Sequence, residues 1–168
     1  TLKCHNSNTT RMYNKNNEFV TPDAIYSNIK IITDEYPEEQ LLSLYHSHHI
    51  LLYPTWGEGF GFIPLQGLAT GMPVISTYDW CHYEKYLGPL KLKSKLTGET
   101  LPKSVGDDYI GKMFKPDPKH LEDQMYEAVI NFKAYSGYYF AQANSIHKEY
   151  NWDQLTKNAF AHLVKKFS

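Results

Sequence analysis

Two short apolar runs, Ile50-Leu51-Leu52-Tyr53-Pro54 and Val74-Ile75-Ser76, flank a glycine-rich loop and one short helix pattern. No other stretch restricts the fold as much. The first run is short and lacks polar alternation, which predicts a strand buried on both faces, and Val74-Ile75-Ser76 reads as the next strand. The loop is Thr55 to Gly61, TWGEGFG. Pro64 suits the first turn of a helix, where its missing N–H costs little. Leu65, Leu68, Ala69 and Met72 then share one face. Gly71 suits the helix C-cap, and Pro73 prevents continuation.

Upstream, Asn28 to Thr33 (NIKIIT) is a β-branched run and predicts a further strand. Pro37 opens a helix with Glu38 and Glu39 in its first turn, where carboxylates suit the dipole. Leu41, Leu44, Tyr45 and His48 recur at helical spacing and predict its buried stripe. The order strand, helix, strand, helix, strand predicts an α/β fold, a Rossmann-like parallel sheet flanked by helices. Residues 7–24 are polar and read as a long loop with at most a helical turn. Leu90-Lys91-Leu92-Lys93 alternates like an edge strand, and SKLTGETLPKSVGDD, from Ser94, reads as loop. Asp117 and Pro118 are the N-cap and first residue of a helix with Leu121, Met125, Ala128, Val129 and Phe132 as its stripe. A second helix covers roughly 135–149, and Asp153 caps a last one bearing Ala159, Phe160, Leu163, Val164 and Phe167.

The 168 residues fit one domain, with no internal repeat. At 42% hydrophobic residues and a mean hydropathy of −0.52, a packed core is compatible with solubility. A net charge of −1 gives no electrostatic reason to expect nucleic acid or an anionic membrane as partner. No apolar run approaches the roughly 18 residues of a transmembrane helix, and no signal peptide is visible. Two cysteines, Cys4 and Cys81, make no disulfide framework, so a reduced, cytoplasmic setting is the simpler expectation. The chain opens on Thr1, and Thr1–His5 already reads as the inside or end of a strand. The expectation is a piece of a longer chain.

A loop at the carboxyl end of a buried parallel strand faces the crevice where open α/β sheets bind ligands. Gly59 and Gly61 let a backbone take unusual φ and a ligand come close. The N-terminus of the next helix offers N–H groups to phosphate or sugar oxygens. Glu58 repels phosphate but accepts hydrogen bonds from hydroxyls, and Gln66, in the first helical turn, reaches the same crevice. Acceptor and donors together suit a phosphorylated sugar. The alternative is a tight turn with a purely structural role, and the loop is neither GxGxxG nor a Walker sequence.

Trp56 to Thr77, WGEGFGFIPLQGLATGMPVIST, resembles the signature of retaining glycosyltransferases of family 4, close to P-S-x-x-E-G-F-G-x-P-x-x-E-A-x-A-x-G-x-P-V-I. Glu58, Gly59, Phe60, Gly61, Ala69, Gly71, Pro73, Val74 and Ile75 match, and Pro64 matches with one residue of slack. A looser likeness runs from Asn28 to Phe132. The resemblance implies one half of a GT-B fold. Residues 1–168 would be its C-terminal, nucleotide-sugar-binding domain, truncated at the N-terminus, with helix 153–167 packing on a missing N-terminal domain.

The implied activity is that of a hexosyltransferase-type enzyme. It moves a sugar from a nucleotide-diphosphate donor to a glycan, lipid or protein acceptor with retention, and the fragment alone is not expected to turn over. Any link to a membrane would be peripheral, through the missing domain. In the family the first glutamate of the motif contacts the donor sugar's hydroxyls, a role that falls to Glu58 as the catalytic residue. The second accepts from the ribose; here that position is Gln66, which keeps an acceptor oxygen but loses the charge. Thr55, Gly59, Phe60, Gly61, Phe62, Tyr78 and Asp79 complete the implied substrate-binding set. The loop Tyr78–His82 borders the donor pocket in the family, where Tyr78 or Trp80 would stack on a base or sugar; packing under the loop is the equal alternative.

No metal or cofactor is implied, because the leaving diphosphate is stabilised by positive side chains and a helix N-terminus. The family's Arg and Lys for that task have no counterpart before Ile25, and Arg11 is the one arginine. The pair is expected upstream of residue 1. Asp107-Asp108 lacks the spacing of a metal-binding DxD and reads as a solvated turn. His46, His48 and His49 read as helix-end packing, with a metal site as the alternative. Cys81 beside His82 is not by itself a nucleophile–base pair. Lys91, Lys93 and Lys95 read as a wet strand face, with phosphate contact as a minor alternative. The rival functions are a GT-B nucleotide-sugar epimerase and a non-catalytic sugar- or nucleotide-binding module.

Overall fold

The computed structural model describes residues 2–3, 12–13, 19–20, 30–32, 34–97 and 113–167. Cys4, Arg11 and Asp107-Asp108 lie outside the described residues. The chain divides into two compact units, Thr1–Leu44 and Tyr45–Ser168.

In the first unit β1 (Leu2–Lys3) pairs in parallel with β4 (Ile31–Ile32). Strands β2 (Met12–Tyr13) and β3 (Phe19–Val20) pair antiparallel, Met12 with Val20 and Tyr13 with Phe19. The polar segment 7–24, expected as loop, thus contains a short hairpin-like pair. Helix α1 (Glu38–His46) starts one residue after Pro37, with its two glutamates in the first turn. Leu41, Leu44 and Tyr45 are half-buried, and no residue of α1 is fully buried.

The second unit is built on a parallel three-stranded sheet, β5 (Leu51–Tyr53), β6 (Val74–Thr77) and β7 (Lys91–Leu92), in that spatial order. This is the Rossmann-like α/β arrangement expected from the strand–helix alternation. Leu51 pairs with Val74 and Tyr53 with Ser76 on one side of β6, and Thr77 with Leu92 on the other. Every residue of the central strand is buried. The expectation of two-sided burial fails for β5, where Leu52 stays 41% exposed, because β5 is an outer strand of this sheet.

Helix α2 (Phe62–Ala69) links β5 to β6 and buries Pro64, Leu65, Gly67 and Leu68. A Cβ on Gly67 would stand 2.8 Å from Leu51 Cδ2 and 3.2 Å from Val74 Cγ2, so glycine lets α2 lie directly on the sheet. The helix ends as Gly71 and Pro73 predict. Gly71 adopts φ 79°, its N–H reaches the Leu68 carbonyl at 3.0 Å, and the Met72 N–H reaches Gly67 at 3.2 Å, a Schellman closure.

Helix α3 (Glu84–Leu87) and a 3-10 turn (Gly88–Leu90) lead into β7. Strands β8 (Ser94–Thr97) and β9 (Met113–Pro116) then form an antiparallel hairpin where loop was expected from Ser94 onward. The pattern was hidden because neither strand has a buried face of its own: Lys95 and Leu96 are both exposed.

Helix α4 (Pro118–Ile130) has the expected cap, the Asp117 carboxylate accepting the His120 N–H at 3.0 Å. Its stripe is rotated from the expected one. Ala128 is buried, while Met125 and Val129 are exposed and Phe132 already belongs to α5 (Phe132–Glu149). Helix α5 starts before the expected 135 and inserts Tyr139 and Ile146 into the core. The final helix, α6 (Trp152–Phe167), is capped by Asn151, whose side chain accepts the Gln154 N–H at 3.0 Å, and not by Asp153. Its apolar residues Phe160, Leu163, Val164 and Phe167 are exposed. No helix among the described residues is long and apolar enough to cross a membrane.

The core joins Leu65 and Leu68 of α2, Val74 and Ile75 of β6, Leu87, Leu90 and Leu92, with Tyr83, Tyr86 and Tyr139 among them. Burial pushes the hydroxyls of Tyr83 and Tyr139 far up, and burial with the Glu149 hydrogen bond lifts Tyr86 to about 12. An unfolded tyrosine ionises near pH 10. Because the folded values are raised, their stabilising contribution is intact below about pH 10 and falls as pH rises beyond it. Urea midpoints should therefore be level between pH 8 and 9.5 and drop steeply by about pH 11. A midpoint unchanged at pH 11 would contradict the buried neutral phenols.

Candidate functional site

In a parallel sheet the carboxyl ends of all strands lie at one edge, and the loops after β5, β6 and β7 meet there. Thr55–Gly61 follows β5. Its first part is held by its own side chains. Thr55 Oγ1 donates to the Gly57 carbonyl at 3.0 Å, and the Thr55 carbonyl accepts from Thr77 Oγ1 at 2.8 Å. Thr77 Oγ1 in turn accepts from the Trp80 indole at 2.8 Å. Thr55 thus shapes the loop with its polar atoms.

The two motif glycines do different work. Gly61 is buried at φ 78°, ψ 57° and caps α2 from the left-handed region without any side-chain cap. A Cβ there would meet the Trp80 ring at 2.3 Å and the Tyr83 hydroxyl at 2.4 Å. The Tyr83 hydroxyl also donates to the Gly61 carbonyl at 2.6 Å. Gly59, by contrast, is exposed, lies outside the left-handed region and has nothing within 4 Å of where its Cβ would be. The tight-turn role belongs to Gly61 and open approach belongs to Gly59.

Glu58 is exposed beside Gly59, and its carboxylate accepts a hydrogen bond from the Tyr53 hydroxyl. Burial first, and Glu58 second, raise the Tyr53 hydroxyl far above its ordinary range, so it stays a donor. Gln66 projects from α2, exposed, with its Oε1 3.2 Å from the Tyr45 hydroxyl, which also reaches the Ile63 carbonyl at 3.3 Å. Each of the two motif side chains is therefore steadied by a tyrosine. Sequence reading missed both tyrosines as site residues. Tyr53 carries a readable signal, since it closes the strand that feeds the loop.

Phe60 is half-buried and stacks near Phe62 at 4.7 Å, with His82, Tyr83 and Tyr150 around it at 6.1–6.3 Å. Phe62 is 52% exposed, leaving an aromatic surface at the start of α2. Trp80 lies under the glycine loop, edge-on to Tyr83 at 6.2 Å and with its indole N–H bonded to Thr77, so of its two readings the geometry favours packing under the loop. Tyr78 is half-buried, with Lys91 Nζ 5.5 Å over its ring. Asp79 is exposed and accepts a hydrogen bond from Ser94 of β8.

Burial pushes the Cys81 thiol up to about 11, so it stays protonated and unreactive near neutral pH. His49 packs edge-on against Phe132 at 5.4 Å, and among the described residues no three His, Cys, Asp or Glu side chains gather to hold a metal.

No protein-family model, curated protein or solved structure matches this chain. The likeness read in Trp56–Thr77 rests on those residues and on where the fold puts them.

Proposed function

We propose that this chain is the donor-binding domain of a retaining GT-B glycosyltransferase, taking a nucleotide-diphosphate sugar whose sugar passes to a glycan, lipid or protein acceptor. One observation carries the reading: the exposed Glu58 carboxylate stands beside the open backbone of Gly59, at the carboxyl end of β5 and just before α2. A carboxylate accepts two sugar hydroxyls at once, and a glycine with free space above it lets a sugar ring rest on the backbone. Tyr53 fixes the carboxylate's direction. Gln66 serves the ribose, with the Tyr45 contact holding its amide in place. Phe62 and Phe60 give the ligand an apolar wall.

The test is saturation-transfer NMR with UDP-, GDP- and ADP-sugars. Contacts to sugar and ribose protons, lost in Glu58→Ala, support the reading and identify the base. Contacts that persist in Glu58→Ala would remove Glu58 from the site.

A non-catalytic binding module is the second reading, favoured by an amide at position 66 where the family motif carries an acid. Gln66→Glu tests what the amide does at that position. The Tyr45 hydroxyl can donate to a carboxylate there, and a charge-assisted bond to ribose is about twice as strong as a neutral one. Nucleotide affinity is expected to hold or rise in Gln66→Glu, measured by titration calorimetry. A clear fall would show that Gln66 uses its N–H groups instead.

A further inference from the structure

One residue, Lys93, separates strand β7 of the parallel sheet from strand β8 of the hairpin. The start of α4 holds that residue from both sides. The Lys93 carbonyl accepts the Asp117 N–H at 2.9 Å, and the Lys93 N–H donates to His120 Nδ1 at 3.2 Å. The hairpin beyond it lies on the glycine loop. The Phe114 N–H donates to the Trp56 carbonyl at 2.7 Å, and Ser94 donates to Asp79 in the loop after β6. Lys93 is therefore the joint between the sheet and a hairpin that touches two carboxyl-end loops.

A ring nitrogen that accepts an N–H carries no proton of its own, so in neutral His120 the proton sits on Nε2. Nε2 faces the half-buried amide of Gln124, 3.4 Å away. Gln124 Oε1 is one of two buried side-chain polar atoms without a partner among the described residues, and turning the amide over brings that oxygen to the Nε2 proton. Two observations thus agree on one tautomer. A charged imidazole has an N–H at both nitrogens, and its Nδ1 cannot accept from Lys93. The charged group at its side is the Asp117 carboxylate. The His120 backbone N–H holds that carboxyl below its ordinary range, so it stays ionised while a histidine titrates, and Lys95 of β8 acts on the same carboxylate. On α4 Lys119 is paired with Glu122 and Asp123, and on β7 Lys91 is paired with Glu84. Strand β6 carries no charge; on α5 Glu149 is paired with Lys85, and Lys133 lies past the other end of α4.

We infer that His120 is a pH-operated latch on the hairpin: neutral, its Nδ1 holds the Lys93 N–H and keeps β8–β9 on the glycine loop; protonated, it lets go and the hairpin loosens there. The bond belongs to the neutral form alone, which sets the sign. Histidine ordinarily changes charge between about pH 5 and 8, so the latch closes as pH rises through that window and opens as pH falls. It acts on the backbone around the loop and stands whether or not the loop takes a nucleotide sugar.

The test is NMR on the full chain. Imidazole nitrogen shifts at about pH 8 should place the His120 proton on Nε2. Hydrogen exchange at the Lys93 and Phe114 amides is scaled to the rate of an unfolded chain at the same pH. Protection should fall about fivefold or more between about pH 8 and pH 5, the loss of one hydrogen bond. His120→Asn keeps an acceptor oxygen near the Nδ1 position but does not titrate, so its protection should stay level. His120→Phe removes the acceptor and should be poorly protected at both pH values. An amide spectrum unchanged outside α4 and the hairpin certifies the fold of each variant, and the tautomer and the parent's pH response need no variant. A proton on Nδ1 at pH 8, protection that ignores pH in the parent, or the same fall in His120→Asn would overturn the latch. So would a fall at Lys93 with none at Phe114, which would confine the effect to the joint.

Discussion

Gly61→Ala should cost about 2–5 kcal/mol, the sum of a left-handed backbone imposed on an L-residue and overlap with packed rings. The residue sits at φ 78°, and the added methyl would lie 2.3 Å from the Trp80 ring. Neither neighbour can yield easily. Trp80 is hydrogen-bonded to Thr77, and Tyr83 is fully buried and bonded to the Gly61 carbonyl. The start of α2 would have to move. Gly59→Ala is the matched control, because that position has free space and an ordinary backbone. Its stability should change by less than about 1 kcal/mol. Urea denaturation of the two variants measures both. Equal losses would mean that the loop is one structural unit with no position kept open for a ligand. A stable Gly59→Ala that no longer contacts nucleotide sugar would mean the open position is used.

Glu58→Ala should lower nucleotide-sugar affinity about 10- to 100-fold, the loss expected for hydrogen bonds to a charged acceptor. Its effect on folding should be small, since the side chain is exposed and its one described hydrogen bond is with Tyr53. The Tyr53 hydroxyl would be left to water or to the ligand. Tyr53→Phe gives the graded comparison. It keeps the carboxylate but frees its orientation, so affinity should fall less than in Glu58→Ala. Titration calorimetry on the three proteins tests the order. Unchanged affinity in Glu58→Ala, with the thermal midpoint intact, would take the carboxylate out of ligand recognition altogether.

The βαβ frame around this site was legible in local chemistry. Gly71 and Pro73 ended α2 where they predicted, and Pro37 and Asp117 opened their helices. These signals work because caps and φ restrictions act within a few residues. The hairpin β8–β9 was not legible. Its partners Ser94–Thr97 and Met113–Pro116 are far apart in sequence, and its exposed lysines show no buried alternation. The direction of side chains was likewise hidden. Sequence could not distinguish Trp80 under the loop from Trp80 facing a ligand, because that depends on whether Gly61 leaves room for its ring.

By itself, then, the sequence determined the strand–helix alternation, the loop and the acid within it, since propensity and capping are local. Tertiary structure alone decided which glycine is structural and which is open. It also decided that tyrosines hold Glu58 and Gln66, and that Lys115 from strand β9 stands over Trp56. These depend on contacts between segments far apart in the chain, which no local pattern encodes.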